Sequence, residues 1–143
     1  MIYLGLDLGT KTVGMAISDP SGIIATALET YHFKENDLQK AVNYVKMVVE
    51  NRGVDKIVLG LPKNMDGTLG FQSTYVQTFK TMLEEETKKP VILVDERLTS
   101  VQVNKILIDA DLSRKKRKDK IDALAARLIL QSYLDSPKKE KKL

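Results

Sequence analysis

Between Ile2 and Asp19 the chain reads IYLGLDLGTKTVGMAISD, and its apolar residues alternate with small or polar ones. On the two-residue period of a strand, Leu4, Leu6 and Leu8 take one face and Tyr3, Gly5, Asp7 and Gly9 the other. The stretch predicts two strands joined by a tight Gly-Thr-Lys-Thr turn. Pro20-Ser21-Gly22 is a second turn signal, and the apolar segment from Ile23 to about Phe33 completes an antiparallel meander of three strands. After Asn36 or Asp37 the period lengthens to three and four, through Leu38, Ala41, Val42, Val45, Val48 and Val49, which predicts a helix closed by Gly53. VDKIVLGL, Val54 to Leu61, then reads as a buried strand, and Pro62 to Gly70 as a polar loop. A helix from about Phe71 to Lys88 carries the stripe Tyr75, Val76, Phe79, Met82 and Leu83, and Val91 to Asp95 after Pro90 is a further strand. A capping-box pattern, Thr99 to Gln102, opens a helix to about Ala110. A basic loop follows, and Asp119 begins a last helix that runs to about Asp135.

Five strands in this order with helical crossovers describe an α/β fold. The sheet is five-stranded and mixed, a three-strand antiparallel meander plus two parallel strands, with helices on both faces. If the first strand points up, the third does too, and the crossovers return VDKIVLGL and VILVD in the same direction. The C-terminal ends of the first, fourth and fifth strands therefore share one edge, where open α/β sheets place their ligands. That edge collects Asp7, the loop GLPKNMDGT (Gly60 to Thr68), and Asp95-Glu96-Arg97.

With 143 residues and 43% hydrophobic content the chain is long enough to bury roughly two thirds of its unfolded surface without a staple. A single domain over 1–136 with a basic, disordered tail over 137–143 is expected, with no internal repeat or linker. The absence of cysteine excludes thiolate metal sites, a cysteine nucleophile and disulfides. Asp7 and Lys11 interrupt any signal-peptide core, and no apolar run approaches the ~18 residues of a membrane span, so a soluble, cytoplasmic protein is expected. The net charge of +4 is unevenly spread: Arg114 to Leu143 holds eleven basic and four acidic residues, against twelve and fifteen before it. Such asymmetry points to a polyanionic partner, nucleic acid above all, or else to a solvated basic loop and tail.

Asp7 is the first candidate for chemistry. Two glycines on its own strand face leave room for something to approach, and an unpaired buried charge would be costly. Its alternative role is to cap the turn through its own backbone. On the last helix Asp122 shares a stripe with Ala125, Ala126, Ile129 and Tyr133, while Ile121, Leu124, Leu128 and Leu130 to Leu134 include core positions. The two alanines would let the helix sit close to the sheet and carry Asp122 to the strand edge. Alternatively Asp119 is an N-cap and Asp122 its N3 residue, stabilised by the helix macrodipole. Asp7, Glu96 and Asp122 together form a candidate carboxylate cluster, which ionised would need a counter-cation. Oxygen ligands suit Mg²⁺ or Mn²⁺. The single histidine, His32, lies in a strand and reads as structural. Two such ions roughly 3.5–4 Å apart activate water and stabilise a leaving oxygen, which makes phosphodiester hydrolysis the natural chemistry.

The segments DLGTKTVGMA (Asp7 to Ala16), GLPKNMDGT, DERLTS (Asp95 to Ser100) and Lys118 with IDALAARLIL (Ile121 to Leu130) resemble, in order, the motifs of the YqgF/RuvX family. The resemblance implies an RNase H-like fold. It also implies a nuclease that matures the 5′ end of the small-subunit ribosomal RNA precursor, working on pre-ribosomal particles, or one that resolves Holliday junctions. It assigns metal binding and catalysis to Asp7, Glu96 and Asp122, matching the family's DxGxK aspartate, DER glutamate and final-helix aspartate. Asp95 shares the second motif, but adjacent strand residues face opposite ways, which favours Glu96 as the ligand. Asp119, outside the family pattern, is an outer ligand at most.

Further contacts to nucleic acid are expected from Lys11 in the turn, Asn64 as donor and acceptor, and Arg97 as a phosphate clamp or a bridge to Asp95. Asp66-Gly67 reads as a turn that needs no function. Arg114, Lys115, Lys116, Arg117, Lys118 and Lys120, beside Asp122, would neutralise the phosphate backbone without reading sequence. Two rivals stand beside this. DLGTKTVG also resembles the phosphate-binding hairpin of the sugar kinase and actin superfamily, although such proteins have two domains and this chain has one DxG hairpin. A non-catalytic RNA- or ribosome-binding protein is the other. Structured RNA against branched DNA, and monomer against dimer, stay open at this level.

Overall fold

The N-terminal alternation builds the centre of the sheet. β1 (Tyr3–Leu8) and β2 (Thr12–Ser18) pair antiparallel from Leu4–Ile17 to Leu8–Val13, and the Gly9 amide closes the turn between them by donating to the Thr12 carbonyl at 2.7 Å. The structure, a computed structural model, describes residues 1–62, 70–96 and 114–136, without the side chains of Phe71 and of 114–120. β3 (Ala25–His32) pairs antiparallel with β2 but starts two residues later than its apolar run. The amides of Ile23 and Ile24 are taken by the Asp19 carboxylate, both at 2.8 Å, in a turn where Gly22 adopts φ 71°. Those backbone donors, Ile24 first, hold the Asp19 carboxyl below its ordinary value, and both isoleucines stay exposed.

α1 (Leu38–Arg52) keeps the expected limits: the Asp37 side chain accepts from the Lys40 amide at the N-cap, and Gly53 closes the helix at φ 65°. β4 (Lys56–Leu61) lies parallel to β1, α2 (Phe71–Thr87) follows, and β5 (Val91–Asp95) lies parallel to β4. β4 is shorter than its apolar run because the Asp55 amide is drawn to the Ile2 carbonyl, at 2.8 Å. α3 (Arg114–Leu134) is the last element described. The strand order is β3-β2-β1-β4-β5, the meander with two parallel strands added at one side.

Alternation then divides the core in two. Leu4, Leu6, Val13, Met15, Ile57 and Leu59 meet α1 and α2 through Val42, Val45, Phe79 and Leu83. Tyr3, Ala16, Ala25 and Val58 meet α3 through Ala125, Ala126, Ile129 and Leu130. α3 lies close to the sheet: a Cβ on Gly5 would stand 2.6 Å from the Leu130 Cβ and 2.9 Å from the Ala126 carbonyl oxygen.

Two expectations about the last helix are corrected. It does not begin at Asp119; the basic run from Arg114 to Lys118 is already helical, since RKKRK contains no breaker and both basic residue types are good helix formers. Neither Asp119 as N-cap nor Asp122 as an N3 residue survives, so the macrodipole no longer accounts for Asp122. Its buried side is Ala125, Ala126, Ile129, Leu130, Tyr133 and Leu134, while Ile121, Leu124 and Leu128 are only half-buried. The helix expected over Thr99 to Ala110, the loop over 63–69 and the tail over 137–143 lie outside the described residues. Among the described residues no helix is long and apolar enough to cross a membrane.

Candidate active site at the carboxyl edge of the sheet

Asp7 occupies the central strand one residue before its end and is 7% exposed. It shares the α3 face with Tyr3 and Gly5, while Leu4, Leu6 and Leu8 pack on the other face. Its registered partner on β2 is Gly14. On the β4 side the last registered pair is Leu6–Leu59, so Asp7 comes level with Gly60 one step on. The carboxylate therefore has a glycine on either side, across both neighbouring strands.

Each glycine seats another acidic residue. A Cβ on Gly14 would fall 2.1 Å from the carbonyl oxygen of Asp122, so the α3 main chain rests directly on that strand position. A Cβ on Gly60 would fall 2.5 Å from Ile129 Cδ1 and 3.0 Å from Glu96 Oε2. Neighbouring strands are ~4.8 Å apart, so residues at 7, 96 and 122 converge on one small patch. Asp95 pairs with Leu61, which packs on the α1–α2 face, so of the Asp95–Glu96 pair Glu96 is the one on the Asp7 side.

Sequence reasoning overlooked Thr12. It is 4% exposed, and its Oγ1 donates to Asp122 Oδ2 at 2.9 Å, a bond between residues 110 apart in sequence. The available signal was the TxG spacing: two residues before Gly14, Thr12 must share its face. His32 is the registered neighbour of Thr12, exposed on the edge strand, which sets it at the rim of the site. Lys11 is exposed at the hairpin tip, and the chain beyond β3 braces that tip, with Phe33 N donating to the Lys11 carbonyl at 2.9 Å and Asn36 N to the Thr10 carbonyl at 2.8 Å. Asn64 and Arg97 lie outside the described residues. The backbones of Arg114 to Lys118, Asp119 and Lys120 form the helical turns before Asp122, with Lys118 one turn ahead of it.

The hard oxygen donors of these carboxylates suit Mg²⁺ or Mn²⁺ in kind. Among the described residues no three acidic or histidine side chains are grouped closely enough to hold a metal ion. The arrangement is a set of carboxylates on adjacent supports, which a cation would have to draw together.

Residues 1–136 match the model of a family described as RuvX, Holliday junction resolvase. A protein of Listeria monocytogenes serotype 4b (strain CLIP80459) named "Putative pre-16S rRNA nuclease" is 49% identical over 136 residues, 95% of this chain and 99% of the relative. One of the same name from Bacillus subtilis (strain 168) is 48% identical over the same length. Among solved structures, RuvC of Thermus thermophilus in complex with a Holliday junction substrate superposes with a TM-score of 0.59 at 14% identity, over 95% of this chain and 97% of that one. The fowlpox virus Holliday junction resolvase gives 0.54 at 17%, over 94% and 99%. At such identities the likeness concerns the fold, which is the RNase H-like one these resolvases share.

Proposed function

The chain belongs to the RuvX family, and on that premise we propose that it is a metal-dependent endonuclease hydrolysing phosphodiester bonds in structured nucleic acid. The substrate is the 16S rRNA precursor, trimmed at its 5′ end on pre-ribosomal particles in the cytoplasm. The reaction class is supported by one observation: Asp122 and Glu96 stand at Gly14 and Gly60, the glycines on either side of Asp7. The substrate is supported by the relatives of about half-identical sequence named for that RNA. The family match over 1–136 favours the nuclease reading over the phosphotransferase one.

Within the site, Asp7 supplies a carboxylate on the central strand, and Glu96 and Asp122 approach it from the end of β5 and from α3. Divalent cations held by these three would activate a water and stabilise the leaving oxygen. Lys11, on its braced turn, receives a phosphate near Asp7. The basic turns of α3 attract the nucleic-acid backbone and deliver it to Asp122. A second reading, cleavage of four-way DNA junctions, is favoured by the description of the family itself.

One assay separates these. The purified protein is offered a 5′-extended 16S precursor and a four-way junction, each with Mg²⁺, Mn²⁺ or excess chelator. Shortening of the precursor that stops in chelator is expected. Symmetric nicking of the junction with the RNA untouched would establish the second reading, and binding without cleavage the non-catalytic one. Undiminished cleavage in chelator would remove the metal from the reading.

A further inference from the structure

We infer that Thr12 is a positioning residue: its hydroxyl sets the orientation of the Asp122 carboxylate and thereby the affinity of the site for a divalent cation. This rests on the nuclease reading above and deepens it. β2 seats Asp122 twice, its main chain against Gly14 and its carboxylate on Thr12 Oγ1. The second support matters because the terminal torsion of an aspartate is broad, so a main chain held in place does not by itself fix the carboxylate plane. A hydroxyl donating to one oxygen at 2.9 Å does.

Thr12 is well made for this. As a β-branched residue in a strand it has few χ1 choices. Its backbone is fixed by the turn, since its carbonyl receives the Gly9 amide, and by its pairing with His32. Gly9 also clears space for the hydroxyl, because a Cβ there would stand 3.2 Å from Thr12 Oγ1. Valine would fill the same volume at this buried strand position without carrying a donor, so strand formation alone gives no reason for the hydroxyl. Carboxylates that hold metals are themselves held by hydrogen bonds, and removing such a partner costs about 10- to 100-fold in metal affinity or activity.

The test is Mn²⁺ binding by calorimetry on the full chain without nucleic acid, alongside cleavage kinetics. Thr12→Val should raise the Mn²⁺ Kd by about 10- to 100-fold and lower kcat while leaving KM for nucleic acid in place. Thr12→Ser, which keeps the donor, should restore wild-type affinity. In an Asp122→Asn background Thr12→Val should add nothing further, since the two act through one bond. Thermal melts verify folding, and Thr12→Ala replaces the valine variant if that one does not fold. Wild-type Mn²⁺ affinity in Thr12→Val with weakened binding in Asp122→Asn would overturn the role of Thr12 and spare the nuclease reading. A serine variant as weak as the valine variant would do the same. A wild type that neither binds Mn²⁺ nor cleaves would overturn the nuclease reading itself, and Thr12 with it.

Discussion

Asp7 lies between Leu6 and Leu8, both packed in the core on the opposite face, so its backbone cannot move without disturbing the centre of the sheet. That rigidity predicts a clean separation of folding from chemistry at this residue. Asp7→Asn keeps the shape and removes the charge, so cleavage should fall below detection in the precursor assay. The melting temperature should hold or rise, because carboxylates gathered on one patch repel each other when no cation is bound. A folded Asp7→Asn protein with normal cleavage would remove Asp7 from the chemistry. The suspicion attached to Asp7 was legible in its own strand, from Gly5 and Gly9. The glycines that admit its partners, Gly14 and Gly60, lie on other strands, and only the register identifies them.

At the scale of elements, what matters is how closely α3 lies on the sheet. Gly5 and Gly14 both permit contact with the α3 backbone, Gly5 beside Ala126 and Leu130 in the body of the sheet and Gly14 beside Asp122 at its edge. Gly5→Ala and Gly14→Ala should each cost about 1–3 kcal/mol by overpacking, read as a lower denaturation midpoint. Gly14→Ala should also lower kcat, because the displaced atom is the main chain of Asp122. Gly5→Ala should leave kcat much closer to wild type, so equal losses of kcat in both variants would show that the spacing at Gly14 has no special bearing on the site. The stripe Asp122, Ala125, Ala126, Ile129, Tyr133 was readable from helical spacing. The start of the helix was not, because a run of lysine and arginine has the composition of a solvated loop and equally the propensity of a helix.

For the molecule as a whole, charge and topology act together. The basic excess of the last thirty residues begins in the helical turns that lead into Asp122, which on the function proposed above would give nucleic acid a route to the carboxylate edge. Neutralising Arg114, Lys115, Lys116 and Arg117 together should weaken nucleic-acid binding and flatten its salt dependence. Each lost phosphate contact should lower the log–log slope by roughly 0.7–0.9. A salt titration giving identical slopes for wild type and the quadruple variant would reduce the run to a solvated surface.

Among the described residues the sequence by itself determined the order of the elements and the faces of the strands, because alternation, helical stripes, Asp37 and Gly53 act over a few residues and need no distant partner. With the direction of each strand following from short turns and crossovers, it also determined that Asp7 and Glu96 would reach one edge. Tertiary structure alone decided the register that sets Gly14 and Gly60 on either side of Asp7, the seat of Asp122 on Gly14, and the bond from Thr12 to Asp122. The last two depend on the distance between a helix and a sheet that meet after more than a hundred residues of chain. That distance follows from how all the intervening side chains pack, which no local pattern encodes.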